Sequence, residues 1–339
     1  MKFKAAVLRQ SKHPLSIEYV EFRDKLSVGQ VLVRIQRTAI CGSQIGEIDA
    51  VKGPDKYLPH LLGHEAIAQV VDSGDSNKCT DGDQVILHWI KCEGIDAPPP
   101  RYFSNSERIN AGQITTFSEY AVVSENRLTV IDTCKSKSLN SYSIIGCSLL
   151  TTYGTLTHVV GSKRLGKALV LGGGGIGQAT IFLLKHFYES DITLVEPNTT
   201  KSRYCHEIGA STSLTDISQI NQETLFDSAI ETTGVPEVIE RSYEALNRTG
   251  ILALVGVTEV GLKVTIDPMP LHYGKEIVGI YGGNAKPKKE IPLLTKALSS
   301  SELTKKLQFK EFSLDQADTG IQEFRSGSFA GRVILNCET

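Results

Sequence analysis

Residues 167–196 constrain this chain more than any other stretch. A short apolar run, Ala168 to Leu171, meets a cluster of glycines between Gly172 and Gly177. An apolar, helix-like segment follows, and a second apolar run, Ile192 to Val195, ends on Glu196. The pattern reads as strand, tight turn, helix and strand. Within the turn, the spacing Gly172-x-Gly174-x-x-Gly177 has a mechanical meaning. The first glycine permits the turn, the second lets the backbone approach a pyrophosphate, and the third lets helix pack on strand. The helix N-terminus adds unpaired N–H groups and the positive end of its dipole. Gly175 and Ile176 lie inside the same turn. Glu196 stands 24 residues beyond Gly172, where a carboxylate meets the ribose hydroxyls of a bound dinucleotide. A glycine-rich surface loop has no need of two framing strands and a closing acid.

At roughly 100–200 residues per domain, the chain's 339 residues point to two domains. Its 36 Lys and Arg against 38 Asp and Glu give a formal net charge of −2. That balance offers no electrostatic footing for nucleic acid or an anionic membrane. The N-terminal apolar run is about four residues, short of a signal-peptide core of roughly 7–15, and no uninterrupted apolar segment approaches the ~18 residues of a membrane span. Seven cysteines, widely spread and without a Cys-x-x-Cys, suit reduced thiols better than a disulfide framework. A cytoplasmic setting is expected.

From Lys2 to about Ser148, short strand-like runs are broken by turn residues: Ala5–Leu8, Ser16–Val20, Gln30–Ile35, Ala66–Val71, and Val85–Leu87 after the turn Asp81-Gly82-Asp83-Gln84. This predicts an antiparallel, barrel-like β domain with few helices. Pro98-Pro99-Pro100 and the polar stretch to Asn110 predict a surface loop over residues 91–112. Beyond about Leu149, strand-like segments at 167–171, 192–195, 226–230, 251–256 and 276–281 alternate with helical ones, which predicts a parallel sheet with crossover helices. Glu237–Asn247 reads as one such helix ended by Gly250, and Lys288–Leu303 as another. The chain closes on a strand, Arg332–Leu335.

Three residues of the first domain could hold a metal. Cys41 stands in Ala-Ile-Cys-Gly-Ser, His64 in Leu-Gly-His-Glu-Ala, and Cys147 in Ile-Gly-Cys-Ser. Two thiolates and an imidazole give a tetrahedral Zn²⁺ three protein ligands and leave the fourth position open, as a catalytic zinc requires. Each cysteine alone is equally a small buried hydrophobe. Glu65, beside His64, must ligate, orient a ligand or find a partner, because an unpaired buried acid costs several kcal/mol.

With Cys-Gly-Ser, Gly-His-Glu, the Gly-Asp-x-Val turn (here Gly82-Asp83-Gln84-Val85) and the glycine-rich turn in this order, the sequence resembles the medium-chain, zinc-dependent alcohol dehydrogenase family. The resemblance covers essentially the whole chain, including Asp267-Pro268-Met269 and Gly279-Ile280-Tyr281-Gly282-Gly283. It implies an α/β protein: a GroES-like, mainly antiparallel catalytic domain over 1–148 and 284–339, and a Rossmann cofactor domain with a doubly wound parallel sheet over 149–283. It implies that Cys41, His64 and Cys147 bind the catalytic zinc, that Glu65 lies close behind and reaches the metal transiently, and that Ser43 passes the alcohol proton. It further implies that Glu196 binds the adenosine ribose with Lys201 near it, that Arg332 reaches the pyrophosphate, and that Val255 lines the cofactor site.

Two departures from that family matter. Typical members carry a structural zinc on four clustered cysteines after the Gly-Asp-x-Val turn, whereas residues 88–115 hold only Cys92; one zinc per chain is expected, with the Pro-rich loop replacing the lobe. The position of a relay His in some relatives is Gly46, so the proton leaves Ser43 through the ribose or water, or through His88 or His60.

The resulting expectation is a zinc-dependent oxidoreductase that moves a hydride between a secondary alcohol and NAD. A carboxylate at Glu196 repels a 2′-phosphate, which favours NAD, while Lys201 and Arg203 keep NADP open. His88 and Trp89, following the Gly-Asp-x-Val strand, are expected to line the substrate pocket, Trp89 being equally readable as a core aromatic. Absence of the structural-zinc lobe favours a polyol, sugar or cyclitol over ethanol-type substrates. The alternatives are a zinc-free reductase of activated double bonds in the same superfamily, or a non-enzymatic nucleotide-binding protein on the same fold. A homodimer or homotetramer is expected through a β edge around Leu262–Ile266.

Overall fold

The computed structural model describes residues 1–132, 139–221, 223–300 and 302–338; Cys134, and position 301 of the helix expected over 288–303, lie outside them. The N-terminal half builds two sheets with a common core. One is antiparallel and five-stranded, in the order His60–Leu61, Lys2–Leu8, Ser16–Phe22, Tyr102–Ser104, Glu107–Ile109. The other runs Leu128–Val130, Gln84–Leu87, Ala66–Asp72, Gln30–Ala39, Arg332–Asn336, Phe309–Ser313, with Tyr120–Ser124 added beside Gln30–Ala39. Alternation sets the packing: Val31, Val33 and Ile35 on one face of Gln30–Ala39 are fully buried against Leu87, Val123 and Leu335. The last two strands return from the far end of the sequence and pair parallel with each other, the final one closing antiparallel on Gln30–Ala39.

The second half carries a six-stranded parallel sheet in the spatial order Thr212–Leu214, Asp191–Val195, Lys167–Leu171, Phe226–Glu231, Leu246–Leu254, Glu276–Gly279. In chain order that is the doubly wound arrangement whose direction of winding reverses between the first and fourth strands, at Lys167–Leu171 and Phe226–Glu231. Helices Gly175–Leu183, Thr199–Glu207 and Pro236–Glu244 supply crossovers. Asn198 caps the second by accepting from the N–H groups of Thr200 and Lys201. A helical run, Leu139–Val160, joins the halves. By length and composition it could cross a membrane, yet 78% of its apolar 18-residue stretch is buried inside the protein, as in the core helix of a globular fold.

Several expectations need correcting. Residues 91–112 are not loop throughout: Tyr102–Ser104 and Glu107–Ile109 form a hairpin, turned by Asn105 and Ser106 with φ of 47° and 72°. Asn-Ser supplies the two left-handed positions that a tight hairpin needs without a glycine to advertise them. Tyr102 anchors the hairpin, fully buried, with its ring 5.7 Å from that of Phe3 and its hydroxyl oxygen accepting from the Val122 N–H at 2.8 Å. The part that is loop, residues 91–98, is ordered by carboxylates. Asp96 takes Lys91 at 2.5 Å, Gln113 at 2.8 Å and Asn126 at 3.1 Å, and Glu125 accepts from the Ile95 N–H at 2.7 Å.

The helix expected over 237–247 ends at Glu244, and the next strand already starts at Leu246, with Gly250 inside it. A short sixth strand, Thr212–Leu214, lies at one edge of the parallel sheet, and the other edge is Glu276–Gly279. Within one chain Leu262–Ile266 pairs with no strand among the described residues, and the Thr265 N–H donates to Glu240 at 2.6 Å; an edge between two copies of the chain is a separate matter.

Candidate active site

Cys41 follows the strand Gln30–Ala39 and caps the short helix Gly42–Ile48. Gln44, almost fully buried, folds back: its Oε1 accepts from the Cys41 N–H at 3.0 Å, and its amide nitrogen touches His64 Nδ1. His64 and Glu65 sit between the strands His60–Leu61 and Ala66–Asp72, entered through Gly63 at φ 93°, where a Cβ would overlap Thr116. Cys147 arrives on the Leu139–Val160 run. Gly146 before it is pressed on the Leu87 carbonyl so closely that any side chain would collide. The ligand atoms of Cys41, His64 and Cys147 lie within 4.8 Å of one another.

Protonation in this cluster is shared. The hydrogen bond from the Cys147 thiol, with that of His64, holds the Cys41 thiol well below its ordinary pKa, and the same Cys41 contact together with burial pushes Cys147 well above its own. Burial alone would lower His64, but the hydrogen bond and negative charge of Cys41 more than offset it and the imidazole is raised. Apart from its Cys41 neighbour, His64 Nε2 is buried with no hydrogen-bond partner among the described residues, an arrangement suited to a cation that takes its lone pair. Two thiols and an orphaned imidazole nitrogen therefore fit a tetrahedral, soft divalent metal with one position free.

Glu65 is completely buried behind the triad. One carboxylate oxygen accepts from the Cys147 N–H at 2.9 Å, and the other meets the Arg332 guanidinium at 3.3 Å. Burial lifts its pKa to about 7 against the opposing pull of Arg332. Arg332 also lies over the glycine-rich turn, where a Cβ on Gly175 would overlap its guanidinium. This single side chain thus touches the turn and the acid behind the Cys41, His64 and Cys147 cluster.

The turn has the geometry that its spacing predicts. Gly172 takes φ 95°, a Cβ on Gly177 would overlap the Gly172 carbonyl, and among the described residues nothing beyond its own chain neighbours comes within 4 Å of a would-be Cβ on Gly174, leaving that face open. Both oxygens of Glu196 are held by backbone, from Gly173 N–H at 2.6 Å and Asn198 N–H at 2.8 Å. Lys201 lies against Gly327, beside the Asn198 side chain that donates to the Gly327 carbonyl. The Val255 N–H donates to the Glu231 carbonyl at 2.8 Å, at the end of the neighbouring strand.

The expectations for the substrate side divide. Ser43 is exposed, with its hydroxyl 3.5 Å from His64 Nδ1. Trp89 is half-buried and meets the ring of Tyr281 edge-on at 5.1 Å; Tyr281 is 85% exposed, and its motif 279–283 gives no hint in the sequence that it faces Trp89. His88 does not reach the pocket. It is fully buried, its Nδ1–H donates to the Ile90 carbonyl at 2.6 Å and its Nε2 accepts from Thr129 at 3.0 Å, so neither nitrogen is free for a substrate or a proton. His60 is likewise engaged, with Asp55 at 2.8 Å.

Burial pushes the His88 pKa down from 6.5 to about 4. The unfolded chain therefore takes up this proton first. Stability is unaffected by His88 above about pH 6.5 and falls as pH drops toward 4, by at most about 3 kcal/mol from this group. Urea unfolding between pH 7 and 4.5 should show a shallower acid loss for His88→Asn than for the parent; parallel slopes would contradict the assignment.

Residues 27–133 match the alcohol dehydrogenase GroES-like domain, and residues 161–279 match the glucose dehydrogenase C-terminus. Alcohol dehydrogenase 6 of Peromyscus maniculatus is 26% identical over 99% of this chain and 98% of its own length. A zinc-binding-domain alcohol dehydrogenase protein from Burkholderia ambifaria superposes with a TM-score of 0.88 at 22% identity, and benzyl alcohol dehydrogenase from Acinetobacter calcoaceticus with 0.86 at 20%; each pair is covered over 100% of both chains. The antiparallel half and the doubly wound half agree with these likenesses, and the chain belongs to the medium-chain, zinc-type alcohol dehydrogenase family of oxidoreductases.

Proposed function

We propose that this protein moves a hydride between a secondary alcohol, of polyol, sugar or cyclitol class, and NAD, using one zinc ion per chain held by Cys41, His64 and Cys147. The observation that carries the proposal is Arg332, which touches both the glycine-rich turn and Glu65, so that the metal triad and the dinucleotide turn would be two walls of one cleft. The catalytic wall would be residues 1–148 and 284–339, and the cofactor wall 149–283.

When bound, zinc would supply Lewis-acid chemistry, favouring loss of the hydroxyl proton in one direction and polarising a carbonyl in the other. The chain's own residues do the rest. Ser43, exposed beside His64, receives the alcohol proton and passes it outward through ribose or water, since His60 and His88 are both engaged elsewhere. Gln44 orients Cys41 and His64 from behind. The turn from Gly172 to Gly177, with Gly175 and Ile176 at the helix start, receives the pyrophosphate, and Glu196 the adenosine ribose. Glu196 favours NAD because its carboxylate is held close to the turn and would repel a 2′-phosphate. Trp89 and Tyr281 offer an aromatic wall suited to the C–H face of a ring or polyol chain. The likeness of residues 161–279 to glucose dehydrogenases supports the same substrate class.

Self-association would use the exposed apolar side chains Val257, Val260, Leu262 and Val264 near the Glu276–Gly279 edge. A panel of polyols, sugar alcohols and cyclitols, followed by nicotinamide absorbance, tests the substrate and cofactor together. Turnover with NAD at least about tenfold above NADP is expected; a preference for NADP would remove the reading of Glu196, and turnover restricted to simple primary alcohols would remove that of the substrate.

A further inference from the structure

The strand Phe226–Glu231, beside the strand that leads into the glycine-rich turn, ends on a carboxylate to which the scheme above gives no task. Glu231 is completely buried, and among the described residues no ion pair includes it. Its charge is met by local donors instead. Oε1 accepts from the Thr233 N–H and the Thr233 hydroxyl, each at 2.5 Å, and from the Gly234 N–H at 3.0 Å; Oε2 lies 3.2 Å from the same Gly234 nitrogen. The backbone carbonyl of Glu231 accepts from the N–H groups of Val255 at 2.8 Å and Gly256 at 2.9 Å. One residue thereby fixes two loops.

Those loops adjoin the turn. The Thr232 hydroxyl donates to the Leu171 carbonyl at 2.7 Å, and a Cβ on Gly172 would come within 2.7 Å of that hydroxyl and 3.1 Å of the Thr233 methyl. On the other side, a Cβ on Gly256 would come within 2.7 Å of the Thr232 carbonyl carbon and 2.8 Å of the Thr233 nitrogen. Residues 232–234 are thus wedged between the first glycine of the turn and Gly256, at the carboxyl ends of the strands where the winding reverses and ligands bind. Curling the backbone back over the strand end requires several N–H groups to converge on one acceptor, and a desolvated carboxylate satisfies them with charge-assisted bonds.

We propose that Glu231 is a positioning residue for the dinucleotide, shaping residues 232–234 into the wall that seats the cofactor against the Gly172 turn and Val255. The assignment rests on the dinucleotide reading made above. Glu231→Gln replaces one acceptor by an NH₂ group that faces the donors of Thr233 or Gly234; Thr233→Val removes one donor, and Thr233→Ser retains it.

The test is NADH affinity by nicotinamide fluorescence, per folded protein, alongside steady-state kinetics and zinc content. Glu231→Gln is expected to raise the Kd for NADH and the KM for NAD about tenfold, with kcat, the KM for alcohol and zinc content within about twofold. Thr233→Val should raise the same two constants about threefold, and Thr233→Ser should restore them. Unchanged cofactor constants in Glu231→Gln, or a loss of kcat that only tracks the folded fraction, would overturn the proposal. If Glu231→Gln does not fold, an unaltered Kd in Thr233→Val overturns it equally. A parent chain that binds neither NADH nor NADPH would overturn the function proposed above, and this assignment with it.

Discussion

Replacing Cys41 by serine is expected to strip the protein of its metal and to lower alcohol oxidation by about a thousandfold or more. The substitution is nearly isosteric, and the residue 41 N–H still donates to the side-chain oxygen of Gln44 in the following helix. The fold at the end of Gln30–Ala39 should therefore survive. What changes is the donor set. His64 Nε2 and the Cys147 thiol remain, and two ligands with a weakly basic hydroxyl do not hold zinc against dilution. In the parent the Cys41 sulfur is already the one held toward thiolate, so its loss removes the ligand that needs least deprotonation. Elemental analysis of the purified variant should give less than about a tenth of an equivalent of zinc, against about one for the parent. Retention of a full equivalent, or a rate within tenfold of the parent, would contradict the assignment of the triad.

The second large effect is expected at Gly177. A Cβ there would overlap the Gly172 carbonyl oxygen and sit 3.0 Å from its carbon, so Gly177→Ala must push the helix Gly175–Leu183 away from the strand Lys167–Leu171. We expect a loss of about 2–4 kcal/mol in stability, as for other overpacked or strained sites, and NADH affinity lowered about a hundredfold because the N–H groups at the helix start no longer converge. Gly174→Ala is the instructive contrast. Gly174 has φ −76° and open space where a Cβ would stand, so the protein alone tolerates alanine there, and only the bound pyrophosphate would feel it. Equal thermal stability with weaker cofactor binding in Gly174→Ala, against loss of both in Gly177→Ala, is the expected pair of results from calorimetry and fluorescence titration. A Gly177→Ala variant with parental stability would contradict the close helix–strand contact.

Features legible in the sequence were those encoded by local spacing. The turn from Gly172 to Gly177 follows from what glycines do at fixed separations, and five of the six parallel strands carry enough apolar residues to be read one at a time. Thr212–Leu214 is three residues of mixed polarity and becomes a strand only by pairing with Asp191–Val195. The hairpin at Tyr102–Ile109 hid because its turn is Asn-Ser rather than Asn-Gly, and because the three prolines just before it read as irregular. His88 was misplaced for a different reason. A histidine at the end of a strand that enters a site looks available, but its partner Thr129 lies 41 residues away, and nothing local announces that the two meet.

The same limit applies to the site's internal wiring. Glu65 and Arg332 are 267 residues apart in sequence, so the acid beside His64 signalled the need for a partner without naming it. Gln44 left a fainter trace: Cys41-x-x-Gln44 has the spacing of a capping box, which could have placed its side chain over the Cys41 backbone. The expected edge at Leu262–Ile266 is unpaired within one chain, because β pairing there would need a strand from a second copy.

In the function proposed here, the metal triad and the glycine-rich turn serve one hydride transfer. The most direct test follows an atom across the cleft. The protein is incubated with oxidised nicotinamide dinucleotide and an alcohol from the active panel that carries deuterium on its carbinol carbon, and the reduced cofactor is analysed by mass spectrometry. One deuterium at C4 of the nicotinamide is expected for each turnover, and no transfer after zinc is removed by chelation, with recovery on its return. Reduced cofactor without deuterium, or transfer that continues undiminished in the metal-free protein, would contradict it.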